Sequence, residues 1–116
     1  MSPEAEEEGA ETGRGRSSRE AARLGRLLAP SRGYEVVPAD GHAVGVIDDL
    51  RYQQHFEHPD AIIVRRKGLL GRRRNLVPFD AVESVDQRRQ QVVLRIDRRA
   101  LNRLPRPGLG VRPPAP

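Results

Sequence analysis

Residues 39–50 read ADGHAVGVIDDL, and this stretch predicts the start of a β-rich domain. Its first four residues are typical of a tight turn, because Asp40-Gly41 is a strong turn signal. The residues that follow are rich in the β-branched and small apolar side chains of strands. Strict alternation would then give two faces, one with Val44, Val46, Asp48 and Leu50, the other with Ala43, Gly45, Ile47 and Asp49.

Further strand patterns lie on both sides of this stretch. They are GYEVVP at 33–38, AIIVRRK at 61–67, RRRNLVPF at 72–79, VESVD at 82–86 and QVVLRID at 91–97. Six short strands separated by turns predict an all-β barrel or sandwich. A short helix over residues 98–104, ended by Pro105, is expected after the last strand.

The composition confines the folded core to one part of the chain. Of 116 residues, 36% are hydrophobic and 32% are charged, and glycine and proline together number 21 (11 plus 10). Such a chain is close to the limit at which it buries enough apolar surface to fold. We therefore predict a domain over residues 33–104, with disordered tails over residues 1–32 and over the Pro-rich residues 105–116.

One segment of the N-terminal tail has helical periodicity. In SREAARLGRLLAP, Ser18 is a candidate N-cap for a short helix over residues 19–29. Its apolar residues follow i, i+3, i+4 spacing: Ala21, Leu24, Leu27 and Leu28. Two interpretations remain open. The helix is transient or docks on the domain, or it is an amphipathic element for a partner or a membrane surface.

The second distinctive stretch is RRKGLLGRRRNLVPFD, at residues 65–80. Its first ten residues include six cations: Arg65, Arg66, Lys67, Arg72, Arg73 and Arg74. The pattern predicts a β-hairpin with GLLG as its turn, and like charges across paired strands are mildly destabilising. The cations are either a grip for RNA or DNA phosphates without base readout, or a solvated hairpin tip that prevents edge aggregation.

The net charge of +5 and the pI of about 10.9 favour contact with polyanions. However, 20 of the 21 cations are Arg, and Ala, Gly and Pro are abundant, which is typical of a GC-rich bacterial genome. That bias accounts for part of the Arg excess. Residues 1–13 are different, with five acids and no cation. One hypothesis is that they fold back onto the Arg-rich surface and weaken non-specific contacts.

The sequence offers little support for catalysis. It contains no cysteine, so disulfides, thiolate metal sites and cysteine nucleophiles are excluded. His55 and His58 supply only a pair of potential ligands, and we predict exposed loop histidines rather than a metal site. The neighbouring Asp48 and Asp49 point to opposite faces of a strand, which suits an acid/base pair poorly. We predict no enzyme activity and no cofactor.

The expected location is the cytoplasm. The first residues, MSPEAEEEGAETG, lack the basic start and apolar region of a signal peptide. No apolar run approaches the roughly 18–20 residues that span a bilayer. We therefore expect a soluble cytoplasmic protein and consider a membrane partner less favoured than a protein or nucleic acid.

Residues 33–97 resemble a PRC-barrel domain, the small β-barrel of the photosynthetic reaction-centre H subunit and of a ribosome maturation factor. The likeness depends on four pieces in matching order and spacing: ADGHAVGVIDDL, AIIVRR, LVPFDAVESVD and VVLRID. The motif positions within them are Asp40, Gly41, Gly45, Asp48, Asp49, Pro78 and Asp80. The cations of residues 65–74 exceed what the family pattern requires.

The resemblance implies a PRC-barrel-like fold and a binding or assembly role without a shared catalytic site. We therefore expect an adaptor that docks a protein or ribonucleoprotein partner. The alternative is non-specific binding of the RNA or DNA backbone through the six hairpin cations.

Overall fold

A computed structural model describes residues 16–68 and 73–107 of the chain. The predictions made for residues 1–15, 69–72 and 108–116 lie outside these residues. They include the acidic segment, most of the GLLG turn, Arg72 and most of the Pro-rich tail.

The six strands predicted from the sequence are all present, with two α-helices. The elements are α1 (Ser18–Leu28), β1 (Glu35–Val37), β2 (Gly45–Arg51), β3 (Ala61–Arg66), β4 (Arg74–Pro78), β5 (Val82–Asp86), β6 (Gln91–Leu94) and α2 (Arg98–Asn102). A 3₁₀ turn, Phe79–Ala81, joins β4 to β5. The fold is therefore mostly β.

All six strands belong to one sheet in the order β4-β3-β2-β1-β6-β5. Neighbouring strands are antiparallel, except that β1 runs parallel to β6. In the described part of the chain, β4 and β5 end this order without pairing, so hydrogen bonds do not close the sheet into the expected barrel. At the β4 end, the N–H of Leu76 donates instead to the carbonyl of Pro105 at 2.8 Å. The segment after α2 thus covers that edge.

The sheet curls around one apolar core to which every strand contributes. One almost completely buried side chain comes from each strand in turn: Val36, Ile47, Ile62, Val77, Val92 and Val82. Leu24 and Leu28 of α1 and Leu101 of α2 complete the same cluster. The core thus includes residues upstream of position 33, where the sequence analysis placed the domain boundary.

The alternation predicted for β2 is wrong at its centre. Ile47 pairs with Val64 and Asp49 pairs with Ile63, so Asp48 is an extra residue in a β-bulge. A bulge shifts the residues after it by one position relative to the sheet faces. As a result Ile47 and Leu50 are both buried, although simple alternation placed them on opposite faces.

The N-cap of α1 is Ser17, one residue before the predicted cap Ser18. The Ser17 side chain accepts the N–H of Glu20 at 3.0 Å, and the Glu20 carboxylate accepts the N–H of Ser17 at 3.3 Å. This capping box stabilises the first turn. The apolar face of α1 packs on the sheet through Leu24 and Leu28, so the helix docks on the domain, as one of the two interpretations of this segment expected. Within residues 16–68 and 73–107, neither helix combines the length and apolar character required to cross a membrane.

Gly25 lies where α1 meets the loop between β2 and β3. A Cβ atom at this position would lie 2.0 Å from the carbonyl oxygen of Glu57 and 2.7 Å from the Cβ of His58. The contact is therefore possible only because residue 25 has no side chain. A glycine that weakens the helix in isolation is required for the loop to pack on it.

We expect Gly25→Ala to destabilise the protein by about 1–3 kcal/mol, the usual cost of overpacking. Helix propensity alone predicts the opposite, a gain of about 1 kcal/mol. Urea unfolding of both proteins decides between them. A more stable Gly25→Ala variant would show that the loop does not pack closely on α1.

Candidate docking site

The basic strip comprises the five hairpin cations that the structure describes: Arg65, Arg66, Lys67, Arg73 and Arg74. The sixth cation, Arg72, lies outside the described residues. Arg65 and Arg66 end β3, Arg74 begins β4, and Arg65 pairs directly with Arg74 across the two strands. Two guanidinium groups are therefore placed side by side, as the like-charge argument anticipated.

Asp48 of the β2 bulge lies between these two cations. Its Oδ1 is 3.5 Å from Nε of Arg65, and its Oδ2 is 3.1 Å from Nη1 of Arg74. The carboxylate is 30% exposed, less than either guanidinium group. One carboxylate thus offsets the repulsion between two cross-strand cations, without any external anion.

Two further cations of the strip also have partners. Nζ of Lys67 donates to Glu35 at 3.2 Å, and Nη1 of Arg66 donates to the side-chain oxygens of Asn75 and Asn102 at 3.1 and 2.8 Å. Burial lowers the pKa of Arg66, and the neighbouring Arg73 and Arg98 lower it further. Arg66 therefore ties the β3–β4 hairpin to α2.

Arg73 is exposed, and no carboxylate of the described residues pairs with it. It differs in this respect from Arg65, Lys67 and Arg74, whose charges are offset by Asp48 and Glu35. Most of the charge of the basic strip thus links strands to one another, and only part of it faces solvent unopposed.

The turn residues Asp40 and Gly41 make hydrogen bonds within the turn and to α2. The N–H of Gly41 donates to the carbonyl of Pro38 at 3.1 Å, and Gly41 has a φ of +143°, which favours glycine. The Asp40 carboxylate accepts the N–H of Arg98 at 3.1 Å. This turn therefore positions the start of α2.

The remaining motif residues make contacts that hold strands and turns of the domain together. A Cβ at Gly45 would lie 2.2 Å from the carbonyl oxygen of Arg65, so the close approach of β2 and β3 requires glycine. Asp49 accepts a hydrogen bond from Arg32 at 2.8 Å, which lowers the pKa of that carboxyl group. Pro78 is the N-cap of the 3₁₀ turn, and Asp80 is an exposed residue within it. None of these contacts brings the motif residues together as one site.

The loop over residues 52–60 has a different character, because it presents aromatic side chains to solvent. Phe56 is 95% exposed and Tyr52 is 45% exposed. The chain has only two Phe and two Tyr residues. Phe79 belongs to the core and Tyr34 packs against it. Half of the aromatic residues are thus on the surface of one loop.

Asp60 fixes the first half of this loop. Its carboxylate accepts the N–H groups of Gln53 and Gln54, the latter at 2.8 Å, and lies 2.7 Å from Nδ1 of His55. The Gln54 hydrogen bond lowers the pKa of Asp60, as do the His55 and Gln53 contacts. The backbone just before Phe56 is therefore held by a single carboxylate.

His58 fixes the second half. Its ring stacks on Phe79 at a centroid distance of 3.9 Å and on His55 at 4.3 Å, and its Nδ1 donates to the carbonyl of Pro59 at 2.8 Å. The stack connects the loop to the core. Among the described residues, no three His, Cys, Asp or Glu side chains are grouped to hold a metal ion.

Phe56 is therefore an aromatic side chain held out from the surface on a loop braced on both sides. The sequence analysis predicted exposed loop histidines here and gave Phe56 no role. A usable signal was present, because Phe56 lies within the polar run QQHFEHPD, which has no strand alternation.

We expect protonation of Asp60 to loosen this loop and to lower the stability of the protein in acid. Because the pKa is lowered by folding, the stabilisation is present above the ordinary aspartate pKa of about 4. It declines as the pH falls through that value and is lost below the lowered pKa. Measuring the free energy of unfolding between about pH 5.5 and 2.5 should show a shallower decline for Asp60→Asn. Equal slopes for the two proteins would contradict this role.

We expect Asp48→Asn to cost about 1 kcal/mol of stability, because it leaves Arg65 and Arg74 unopposed. Glu35→Gln is the matched control, since it removes a carboxylate that serves only Lys67. That change should cost less than about 0.5 kcal/mol. Urea unfolding at low salt measures both. Equal effects would show that the shared carboxylate has no special role.

Comparison with known proteins places this geometry in context. The PRC-barrel domain family matches residues 29–101 of the chain. Among solved structures, RimM of Pseudomonas aeruginosa, described as a 16S ribosomal RNA processing protein, is 25% identical with a TM-score of 0.48. The match covers 63% of this chain and 43% of that one, so the chain spans less than half of its length. No curated protein matches the chain.

Proposed function

Because the chain belongs to the PRC-barrel domain family, we propose that it is a non-catalytic module that docks a protein or ribonucleoprotein partner through Phe56. The observation that carries the proposal is the 95% exposure of this side chain on a braced loop. Aromatic side chains that become buried on association contribute much of the free energy of protein interfaces.

The bracing of the loop supports this role. A single exposed apolar residue is common on protein surfaces and needs no explanation by itself. Here Asp60 holds the backbone on one side of Phe56, while the His58 stack and the Gly25 contact hold the other. A side chain presented from a rigid backbone loses less conformational entropy when it binds.

The basic strip gives weaker support to the alternative, binding of an RNA or DNA backbone. Phosphate binding depends on cations free to replace the counterions of the nucleic acid. Asp48 and Glu35 already neutralise part of the charge of Arg65, Lys67 and Arg74. Arg73 is the described member whose charge no carboxylate of residues 16–68 and 73–107 offsets.

The carboxylates of the β2 bulge region also support a non-catalytic role. Asp48 and Asp49, the adjacent carboxylates, each pair with arginine. The hydrogen bond from Arg32 lowers the pKa of Asp49, which makes this carboxyl group a poor proton donor.

We expect Phe56→Ser to abolish capture of the partner by tagged full-length protein. The capture is made from a native lysate treated with nuclease and washed at high salt. A truncated hot-spot residue costs about 2 kcal/mol or more, so retention should fall at least about 30-fold. The stability of the variant should change by less than about 0.5 kcal/mol, because the side chain is exposed.

Arg73→Glu is the matched variant on the basic strip and should retain the partner. Undiminished capture by Phe56→Ser would overturn the proposed docking residue. If nuclease or salt removes all bound material, and Arg73→Glu also loses it, the nucleic-acid alternative is correct.

A further inference from the structure

A groove of about 410 Å³ lies between α1 and β5. We call it the α1–β5 groove. Its floor is apolar, formed by Leu24, Leu27 and Val85. Its rim carries the guanidinium groups of Arg16, Arg23 and Arg95. The groove therefore combines an apolar surface with several cations.

The two carboxylates of the rim are already engaged. Glu83 accepts a hydrogen bond from Nε of Arg95 at 2.9 Å, and Glu20 accepts the N–H of Ser17 in the capping box. Asp80 is a third carboxylate near Arg16. None of these three carboxylates accepts a hydrogen bond from Nη1 of Arg16.

Arg16 lacks an acceptor that its position requires. Its guanidinium lies over the Phe79 ring, with Cζ 5.2 Å from the centroid, and its Nη2 donates to the carbonyl of Val82. Its Nη1 is buried and has no hydrogen-bond partner in the described part of the chain. Buried donors almost always have partners, so this nitrogen indicates that an acceptor belongs beside it. Burial lowers the pKa of Arg16 and the nearby Arg95 lowers it further, while Asp80, Glu83 and Glu20 act in the opposite direction.

Arg23 lies one to two turns further along α1 and is exposed. No carboxylate of residues 16–68 and 73–107 pairs with it. It is therefore a second cation on the same rim that is free to receive an anionic side chain.

We propose that the α1–β5 groove binds the chain's own acidic segment, residues 4–11, read EAEEEGAE. That segment supplies five carboxylates within eight residues, and only four residues separate it from Arg16 on the rim. This connection includes two glycines, Gly13 and Gly15. A carboxylate beside Arg16 satisfies its free Nη1 by a charge-assisted hydrogen bond.

The short connection favours binding of this segment over binding of free anionic ligands. A tethered ligand on a short linker has an effective concentration of about millimolar, above that of most free competitors. The basic strip, by contrast, is on β3 and β4, and none of its described residues lines the groove. The groove therefore replaces the Arg-rich hairpin as the receptor for the acidic segment. This inference is independent of the docking role proposed for Phe56.

Paramagnetic relaxation in the full chain tests the proposal. The chain has no cysteine, so Ser2→Cys gives one site for a nitroxide label. The amide signals of residues 83–85 in β5 should lose at least half their intensity, while those of residues 74–77 in β4 should change little. Raising the salt concentration to about 0.5 M should remove the difference, because the contact is electrostatic and partly exposed.

Three variants complete the experiment. Neutralising the segment with Glu6→Gln, Glu7→Gln and Glu8→Gln should abolish the loss of intensity at β5. Arg23→Gln should weaken it, while Arg19→Gln, an exposed cation of α1 outside the groove, should leave it unchanged. Equal broadening of β4 and β5, or no effect of neutralising the segment, would overturn the proposal. A further sample mixes nitroxide-labelled protein that lacks ¹⁵N with ¹⁵N-labelled protein that lacks the nitroxide. Broadening of β5 in this mixture would show that the segment of a second copy occupies the groove, which would also overturn the proposal.

Discussion

The β-bulge at Asp48 is the constraint on which the rest of the structure depends. By inserting one residue, it allows both Ile47 and Leu50 to enter the core from a single short strand. The same insertion places the Asp48 carboxylate between Arg65 and Arg74. One backbone irregularity thus both buries two apolar side chains and places a carboxylate between two cations. A regular strand would have directed either an apolar residue outward or the carboxylate away from the two arginines.

Charge on this protein serves mainly to join elements. Arg66 connects the hairpin to Asn102 of α2, Lys67 connects it to Glu35 of β1, and Arg32 connects the chain after α1 to Asp49 of β2. Each contact is partly exposed and contributes little individually. Their joint effect is to fix the orientation of elements around a core that is small for 116 residues. The abundance of arginine in the sequence is therefore a poor guide to where ligands bind.

The sequence was sufficient to predict the number of strands, the final hairpin and the family, because these depend on local periodicity and turn residues. It was insufficient to predict which side chains of β2 are buried. A bulge leaves no signal in the composition when the inserted residue is an ordinary polar one such as Asp48. Docking of α1 on the domain was one of two interpretations that the sequence left open, because Gly25 counts against a helix until the loop that contacts it is known. For the candidate site, composition directed attention to the cations. Phe56 was passed over because a single aromatic residue creates no pattern.

The parallel pairing of β1 with β6 has a consequence for how the protein folds. Strands β2, β3 and β4 are consecutive and antiparallel, and so are β5 and β6, so both groups can assemble from near neighbours in the chain. The β1–β6 ladder instead joins residues 35–37 to residues 91–93. Closing a loop of this length is slow, because the loss of chain entropy is offset only after the contacts between the two strands have formed. During synthesis on a ribosome, only β1 to β4 can pair with one another before the last strand has emerged, and the sheet becomes continuous when β6 joins both β1 and β5.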